Sequence, residues 1–375
     1  MRIARVLCIL ALVYVHTPPY ARGAPAELIS ADGFYWIWRE LAGRTSVALL
    51  SVFSGFLVVR LGQSESWSAK IRKKVRTLIV PLLLWNLIAL AKNFAVSRGQ
   101  ELPALFDLPR LLLAVDGNPA LTPMYFLRDV FVCNLLIIPL MFGARRAALA
   151  TGLLLFANAV FDVERGLFLN DAIPLFYFLG LLAGIGVMSA DRFPMKAVRG
   201  RGQGAIAASV AIALMLLGTA GSYSLAGVGS AGEYGQNLSD VVSRLGGALL
   251  FWTVADRVRT SRAASEVVGF EPVIFFVFCS HPISLGAAWM AAQVAHVSYA
   301  TPSYFLFFVV TPFISLIAGV VGLAVLRRVA PWLLTLLVGG RFPSDEQMRR
   351  IWAVLMPWRF MREGSASAAA AQPER

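Results

Sequence analysis

Five stretches of this chain, 3–19, 77–90, 204–217, 272–294 and 304–326, run for a dozen residues or more almost without charge. A helix that spans the hydrocarbon core of a bilayer needs about 20 consecutive, mostly apolar residues. In lipid the backbone must satisfy its own hydrogen bonds, so such runs become helices packed on helices. Composition agrees: 58% of residues are apolar and 15% charged, against about 25% charged in soluble domains. A single soluble core stops growing at roughly 250–300 residues, so in a chain of 375 residues the apolar excess faces lipid. The expected fold is all-α, a polytopic membrane helix bundle with about ten transmembrane helices. They are drawn at 3–21, 42–60, 77–97, 122–143, 147–163, 172–190, 204–225, 240–256, 271–296 and 303–326. Residues 1–342 form one membrane domain, and 343–375 form a cytoplasmic tail that is partly disordered.

The net charge is +13, from 34 Lys and Arg against 21 Asp and Glu. Nucleic acid would need those cations on one face or stripe; here they are scattered over short segments between spans, as the positive-inside rule produces. Placing both termini in the cytoplasm puts Arg60, the run KIRKKVR at 70–76, Arg145, Arg146, the group at 192–201, Arg257, Arg259, Arg262, Arg327 and Arg328 on the cytoplasmic side. The longest outer connections are then 97–121 and 225–239, the second a Gly- and Ser-rich stretch read as flexible and turn-rich. Cys8, Cys133 and Cys279 lie in apolar runs, match no disulfide or metal spacing, and read as buried thiols. The first run lacks a small-residue cleavage site and reads as an uncleaved span.

Ionisable residues in apolar runs are costly and therefore candidates for function. Arg5 and His16 are eleven residues apart, which on an ideal helix puts them on one face, about 16 Å apart along the axis. They read either as a boundary anchor plus a buried histidine or as a functional pair. His281 precedes Pro282, and His16 is followed by Pro18 and Pro19. Proline removes a backbone hydrogen bond, and broken backbone at membrane depth must be buried in protein or line a wet cavity. Two such histidines point to a shared polar cavity; two independent kinks are the alternative. The basic run at 70–76 is either topogenic or a phosphate site. His296 reads as interfacial, and Arg128 with Asp129 as a structural ion pair. No HExxH, Walker A, GxSxG or Cys/His metal pattern occurs, and no metal is expected.

In order along the chain, the Arg5–His16 spacing, Ser54-Gly55-Phe56-Leu57, Lys73-x-x-Arg76 before Pro81, Tyr125-Phe126-Leu127-Arg128-Asp129 and LLVGGR at 336–341 resemble the signatures of acyltransferase family 3, bacterial integral-membrane acyltransferases. Lys73 stands where that family usually has Arg, and Tyr125 where it has Trp. The resemblance implies an inner-membrane enzyme with acyl-CoA, usually acetyl-CoA, as donor and a hydroxyl of a surface glycan or lipid-linked precursor as acceptor. His16 would be the catalytic base or a transient acyl carrier, supported by Arg5 and His281, with Arg72, Lys73 and Arg76 on the cofactor. Imidazole titrates near neutrality, which suits a general base. The alternatives are a glycan or lipid transporter, which would share helix breaks and midplane polar residues, and transfer of succinyl in place of acetyl.

Overall fold

The computed structural model of the chain describes residues 1–19, 24–61, 66–96, 104–115, 117–164, 166–186, 201–226, 228–299 and 301–356. Most of the predicted basic group at 192–201 and the end of the tail, 357–375, lie outside the described residues. All regular structure among those described is helical. In chain order the α-helices are α1 (Arg2–Leu12), α2 (Ala31–Trp38), α3 (Thr45–Leu61), α4 (Trp67–Lys74), α5 (Val80–Val96), α6 (Leu108–Leu113), α7 (Tyr125–Leu135), α8 (Ile137–Arg146) and α9 (Ala148–Phe161). There follow α10 (Ala172–Ile185), α11 (Arg201–Ser224), α12 (Gly229–Val258), α13 (Arg262–Gly269), α14 (Glu271–Val294), α15 (Pro302–Val329), α16 (Pro331–Leu337) and α17 (Asp345–Leu355).

Six of the helical stretches described are long and apolar enough to cross a membrane: Ala31–Leu61, Trp67–Val96, Gln203–Ser224, Gly232–Val258, Glu271–Val294 and Pro302–Val329. Counting Thr122–Leu135 and Ile137–Arg146 as one broken span, bent by 64°, makes seven. Pro139 explains that break, because it cannot donate to the carbonyl of Leu135. The other predicted crossings are short. Helices α9 and α10 have 14 residues each, about 21 Å, against a hydrocarbon core of roughly 30 Å; α1 has 11. The bundle is a multi-pass membrane protein; among the described residues length supports six or seven crossings, and the expected ten are not confirmed.

Glycines set the closest helix contacts, as small residues do where helices pack in lipid. A Cβ on Gly55 would lie 2.0 Å from the Tyr177 carbonyl oxygen, and one on Gly180 2.1 Å from that of Val52. The Ser54-Gly55-Phe56 element thus seats α3 directly on the buried helix α10. Helices α11 and α12 form a second close pair. The stretch 225–239 is therefore no flexible loop: from Gly229 it is the first part of α12, joined to α11 by Ser222 Oγ donating to Asp240 Oδ1 (3.0 Å) and Gln236 Nε2 to the Leu225 carbonyl (2.8 Å).

Helix α1 runs through the middle, against α3, α12, α13, α14 and α15. Two stretches adopt the rare π-helix, Arg39–Arg44 between α2 and α3 and Val75–Ile79 between α4 and α5. Such segments occur mostly as bulges, frequently at functional sites. Gln347 and Ser344 close a capping box that starts α17, so the tail is ordered at least through this helix.

Candidate active site

The site is built from the two backbone irregularities that the prolines create. After Leu12, α1 tightens into a 3₁₀ turn, Val13–His16. At about 120° per residue in place of 100°, four such residues turn His16 roughly 80° away from the face on which a uniform helix would align it with Arg5. The chain then leaves the helix at Thr17, and its freed carbonyls find buried donors. Arg39 Nη2 donates to Thr17 O (3.1 Å) and Pro19 O (3.0 Å), and the Tyr304 hydroxyl donates to Pro18 O (3.0 Å). Such pairing is obligatory for backbone buried away from water.

Helix α14 behaves differently, continuing straight through Pro282. Pro282 has no N–H, so the carbonyl four residues back, Phe278 O, loses its helical donor. The Nδ1 of His281 takes that place, 2.7 Å from Phe278 O. A carbonyl can only accept, so Nδ1 carries the proton and Nε2 of the neutral ring is left with its lone pair. His281 is fully buried and its Nε2 has no partner. The ring it faces is His16, with centroids 5.1 Å apart and planes at 55°. The two rings are thus brought together, but His281 lines neither of the two cavities beside them, so the polar cavity expected to be shared by both histidines is not seen among the described residues.

Two cavities meet beside this pair. The larger, of about 600 Å³, opens among the basic residues around α4 and is lined by Arg5, Lys70, Lys73, Lys74, Glu271 and Arg341, with Leu50, Phe126, Phe275 and Phe278 on its apolar wall. That volume lies in the range of small-molecule and cofactor sites, about 300–1,000 Å³. The smaller, of about 10 Å³, is lined by His16, Leu12, Val47, Pro123 and Tyr125 and has room for about one water. Leu50, Phe126 and Phe278 line both. The Phe126 and Phe278 rings meet edge to face with centroids 5.9 Å apart, forming an aromatic partition between the cationic cavity and the histidines.

Of the residues singled out in the sequence, Arg5 and Lys73 line the larger cavity and His16 the smaller. Arg72 and Arg76 are exposed and line neither. Lys70 and Lys74, from the same run, do line the larger one. Glu271, the ion-pair partner of Arg5, stands out little in the sequence because it lies just outside the apolar run, before Pro272 at the start of α14. A carboxylate belongs at that end of a helix dipole, and this was the available signal. Arg39 also went unremarked; nothing in its sequence neighbourhood reveals that its guanidinium is buried against the end of another helix. Asp129 is buried, paired with Arg128 at 2.9 Å and bonded by the backbone N–H groups of Leu169 and Asn170, which fits the structural role expected. The three cysteines are buried and free.

At the loop between α9 and α10, Asp162, Glu164 and Asp171 bring carboxylate oxygens within 4.8 Å of one another, the one grouping of possible metal ligands among the described residues. None of the three lines either cavity. Burial, then Glu164 and Asp162, push the Asp171 carboxyl up to about 8.

No solved structure matches the chain. Among curated proteins it is similar to "Succinoglycan biosynthesis protein ExoH" of Rhizobium meliloti (strain 1021), with 27% identity over 358 residues that cover 91% of this chain and 92% of that protein. The family model Acyl_transf_3, described as an acyltransferase domain, matches residues 1–338, which takes in α1, α14, both cavities' apolar walls and the helices that hold them. With nearly all of the described bundle inside that match, the chain belongs to acyltransferase family 3 and is a membrane-embedded acyltransferase that moves groups other than amino-acyl groups.

Proposed function

We propose that this protein transfers an acyl group from a coenzyme A thioester, held in the cationic cavity, to a hydroxyl of a glycan or glycan precursor at His16. One observation carries the reading: a cavity with a lysine-rich mouth ends on the same Leu50, Phe126 and Phe278 that wall the pocket of His16. Lys70, Lys73 and Lys74 suit the nucleotide phosphates as flexible point charges. The neutral pantetheine arm then has the apolar wall to lie along, and the thioester reaches the aromatic partition.

In the transfer step the nitrogen of His16 takes the proton of the acceptor hydroxyl while its oxygen attacks the thioester carbonyl carbon. The C–O bond forms, the C–S bond breaks, and the departing thiolate recovers the proton from the imidazolium. His281 is the positioning residue: its Nε2 lone pair is available to accept the N–H of His16, which leaves the other His16 nitrogen as the base. At 5.1 Å between ring centres that bond is not yet made; catalytic hydrogen bonds often tighten only with substrate in place. Arg5, neutralised by Glu271, stiffens the seam between α1 and α14. No metal enters this scheme.

The acceptor class follows the relative named for succinoglycan biosynthesis. A glycan named for succinyl groups also favours succinyl over acetyl as the transferred group. Family membership supports transfer over export of a glycan or lipid. Placement in a bacterial inner membrane with both termini in the cytoplasm accords with the basic residues gathered around the cavity mouth.

The test is to incubate membranes containing the protein with labelled acetyl-CoA or succinyl-CoA and extracted surface glycan. Label on the glycan that disappears in His16→Ala is expected. Labelling that persists in His16→Ala, or no label from either donor while a deletion strain fails to export the unmodified glycan, would overturn the reading.

A further inference from the structure

Among the described residues that line the larger cavity, the uncharged polar ones are Ser54, Asn134 and Gln347. Gln347 belongs to α17, beyond the last span. Ser54 and Asn134 sit inside the bundle on α3 and α7, where every other lining residue of those two helices is apolar. The transfer scheme gives neither a task. Both have spent their donors on their own helices: Ser54 Oγ donates to the Leu50 carbonyl (2.9 Å) and Asn134 Nδ2 to that of Val130 (2.6 Å). A carbonyl can only accept, so the lone pairs of Ser54 Oγ and the Oδ1 of Asn134 are what these side chains offer a ligand. Asn134 is buried, and a buried amide oxygen costs free energy until a donor meets it.

Helix geometry gives their depth. Leu50 on α3 and Phe126 on α7 line both cavities and so mark the partition. From Leu50 the lining of α3 continues through Ser54 to Leu61, and from Phe126 that of α7 continues through Val130 to Asn134. At 1.5 Å per residue, Ser54 lies about 6 Å from the partition and Asn134 about 12 Å. Side chains lean toward the N-terminus of their helix, here toward the partition, which brings each oxygen about one residue step closer. Two acceptors therefore stand at about 5 and 10 Å along an apolar wall. The pantetheine arm of coenzyme A matches this spacing, being uncharged with one N–H donor in each of its two amides. An extended chain advances about 3.5 Å for every three bonds. With the thioester carbonyl carbon at the partition, the nearer amide nitrogen is then about 5 Å away and the farther about 9 Å. The first phosphorus follows at about 16 Å, the depth at which α3 ends at Leu61.

We propose that Ser54 and Asn134 bind the donor's pantetheine arm, Ser54 Oγ accepting from the amide N–H nearer the sulfur and Asn134 Oδ1 from the farther one, and so set how far the thioester reaches toward His16. The inference rests on the transfer reading above and deepens it. The test uses membranes carrying the full chain, wild type, Asn134→Leu or Ser54→Ala, and the acyl group that the wild type transfers, offered on three carriers. These are coenzyme A, pantetheine, and N-acetylcysteamine, which keeps the amide nearer the sulfur and lacks the farther one. Asn134→Leu is expected to lower kcat/KM about fivefold on the first two, the scale of one hydrogen bond, and less than about twofold on the third. Ser54→Ala lowers all three about fivefold. A coenzyme A thioester whose farther amide N–H is replaced by an ester oxygen loses about fivefold in the wild type and nothing further in Asn134→Leu. The wild-type half of that comparison needs no variant to fold and no truncated donor to turn over. Equal losses of Asn134→Leu on all three carriers, its full activity on coenzyme A, a Ser54→Ala protein that keeps full use of the N-acetylcysteamine thioester, or a wild type that uses the ester analogue as well as the amide would overturn the assignment and leave the transfer reading standing. Absence of His16-dependent transfer from the coenzyme A thioester would remove both.

Discussion

His16 and His281 carry the same mark in the sequence, a proline within two residues, and they end in opposite backbones. At His16 the helix stops, and the carbonyls of Thr17, Pro18 and Pro19 are bonded by side chains from other helices. At His281 the helix runs on, and the histidine itself fills the bond that Pro282 cannot make. The difference separates two tasks. His281 is locked in one tautomer by its own backbone, whereas no hydrogen bond among the described residues fixes the ring of His16, which faces a pocket. A locked imidazole positions; an unlocked one is available to move a proton.

Substitution tests that division of labour. His16→Ala is expected to lower transfer by about 10³-fold, within the usual range for a lost general base, without changing the binding of coenzyme A. His281→Ala is expected to cost about tenfold in kcat, the scale of one hydrogen bond to a reacting group. His281→Gln, which can offer an acceptor near the Nε2 position, retains more activity than His281→Asn, which can only mimic the Nδ1 donor. The reverse order would mean that His281 merely closes the gap left by Pro282, and the comparison would collapse.

Arg39 supports the broken side of the pair, so Arg39→Lys removes two fixed hydrogen bonds worth about 1 kcal/mol each. It should lower both the melting temperature and kcat while leaving the KM for acyl-CoA unchanged. Pro282→Ala acts on the continuous side. It returns a donor to Phe278 O that competes with His281 Nδ1, so the protein becomes slightly more stable and about threefold slower, as a partial loss of one hydrogen bond implies. A faster Pro282→Ala enzyme would argue that the tautomer lock has no part in turnover.

The smallest expected effect lies away from the histidines. With its carboxyl raised to about 8, Asp171 contributes stability that is fully present below its unfolded value near 4 and is lost as pH rises through 8. Asp171→Asn should therefore flatten the fall in melting temperature between about pH 4 and 8 and leave the pH profile of transfer alone. A changed transfer profile would tie the α9–α10 loop to the site.

The sequence is most legible where one physical cause acts locally. Long apolar runs must be helices in lipid, and α14 begins and ends within two residues of the expected 271–296. Gly55 was noticed as part of a motif, but its reason, the carbonyl of Tyr177 against its backbone, belongs to a helix more than a hundred residues away. The count of crossings is less legible for a related cause. Hydropathy cannot tell a helix that is apolar because it faces lipid from one like α10 that is apolar because it is buried in the bundle. The basic run at 70–76 is legible as a cluster, yet that Lys70, Lys73 and Lys74 line the cavity while Arg72 and Arg76 do not depends on how α4 and the π-helical stretch after it are turned against it.

By itself, then, the sequence determined that the chain is an α-helical membrane bundle and that Arg5, His16 and His281 are costly enough in apolar surroundings to need a reason. Periodicity, charge and proline placement act within a few residues, so they are written locally. Only the tertiary structure decided that Glu271 answers Arg5, that His281 is pinned by its own helix, that two phenylalanines part the cationic cavity from the histidines, and that a glycine pair swings Arg341 into it. Each of these joins groups far apart in the chain or turns on one missing N–H, and burial and hydrogen-bond pairing between distant segments leave no periodic trace in the sequence.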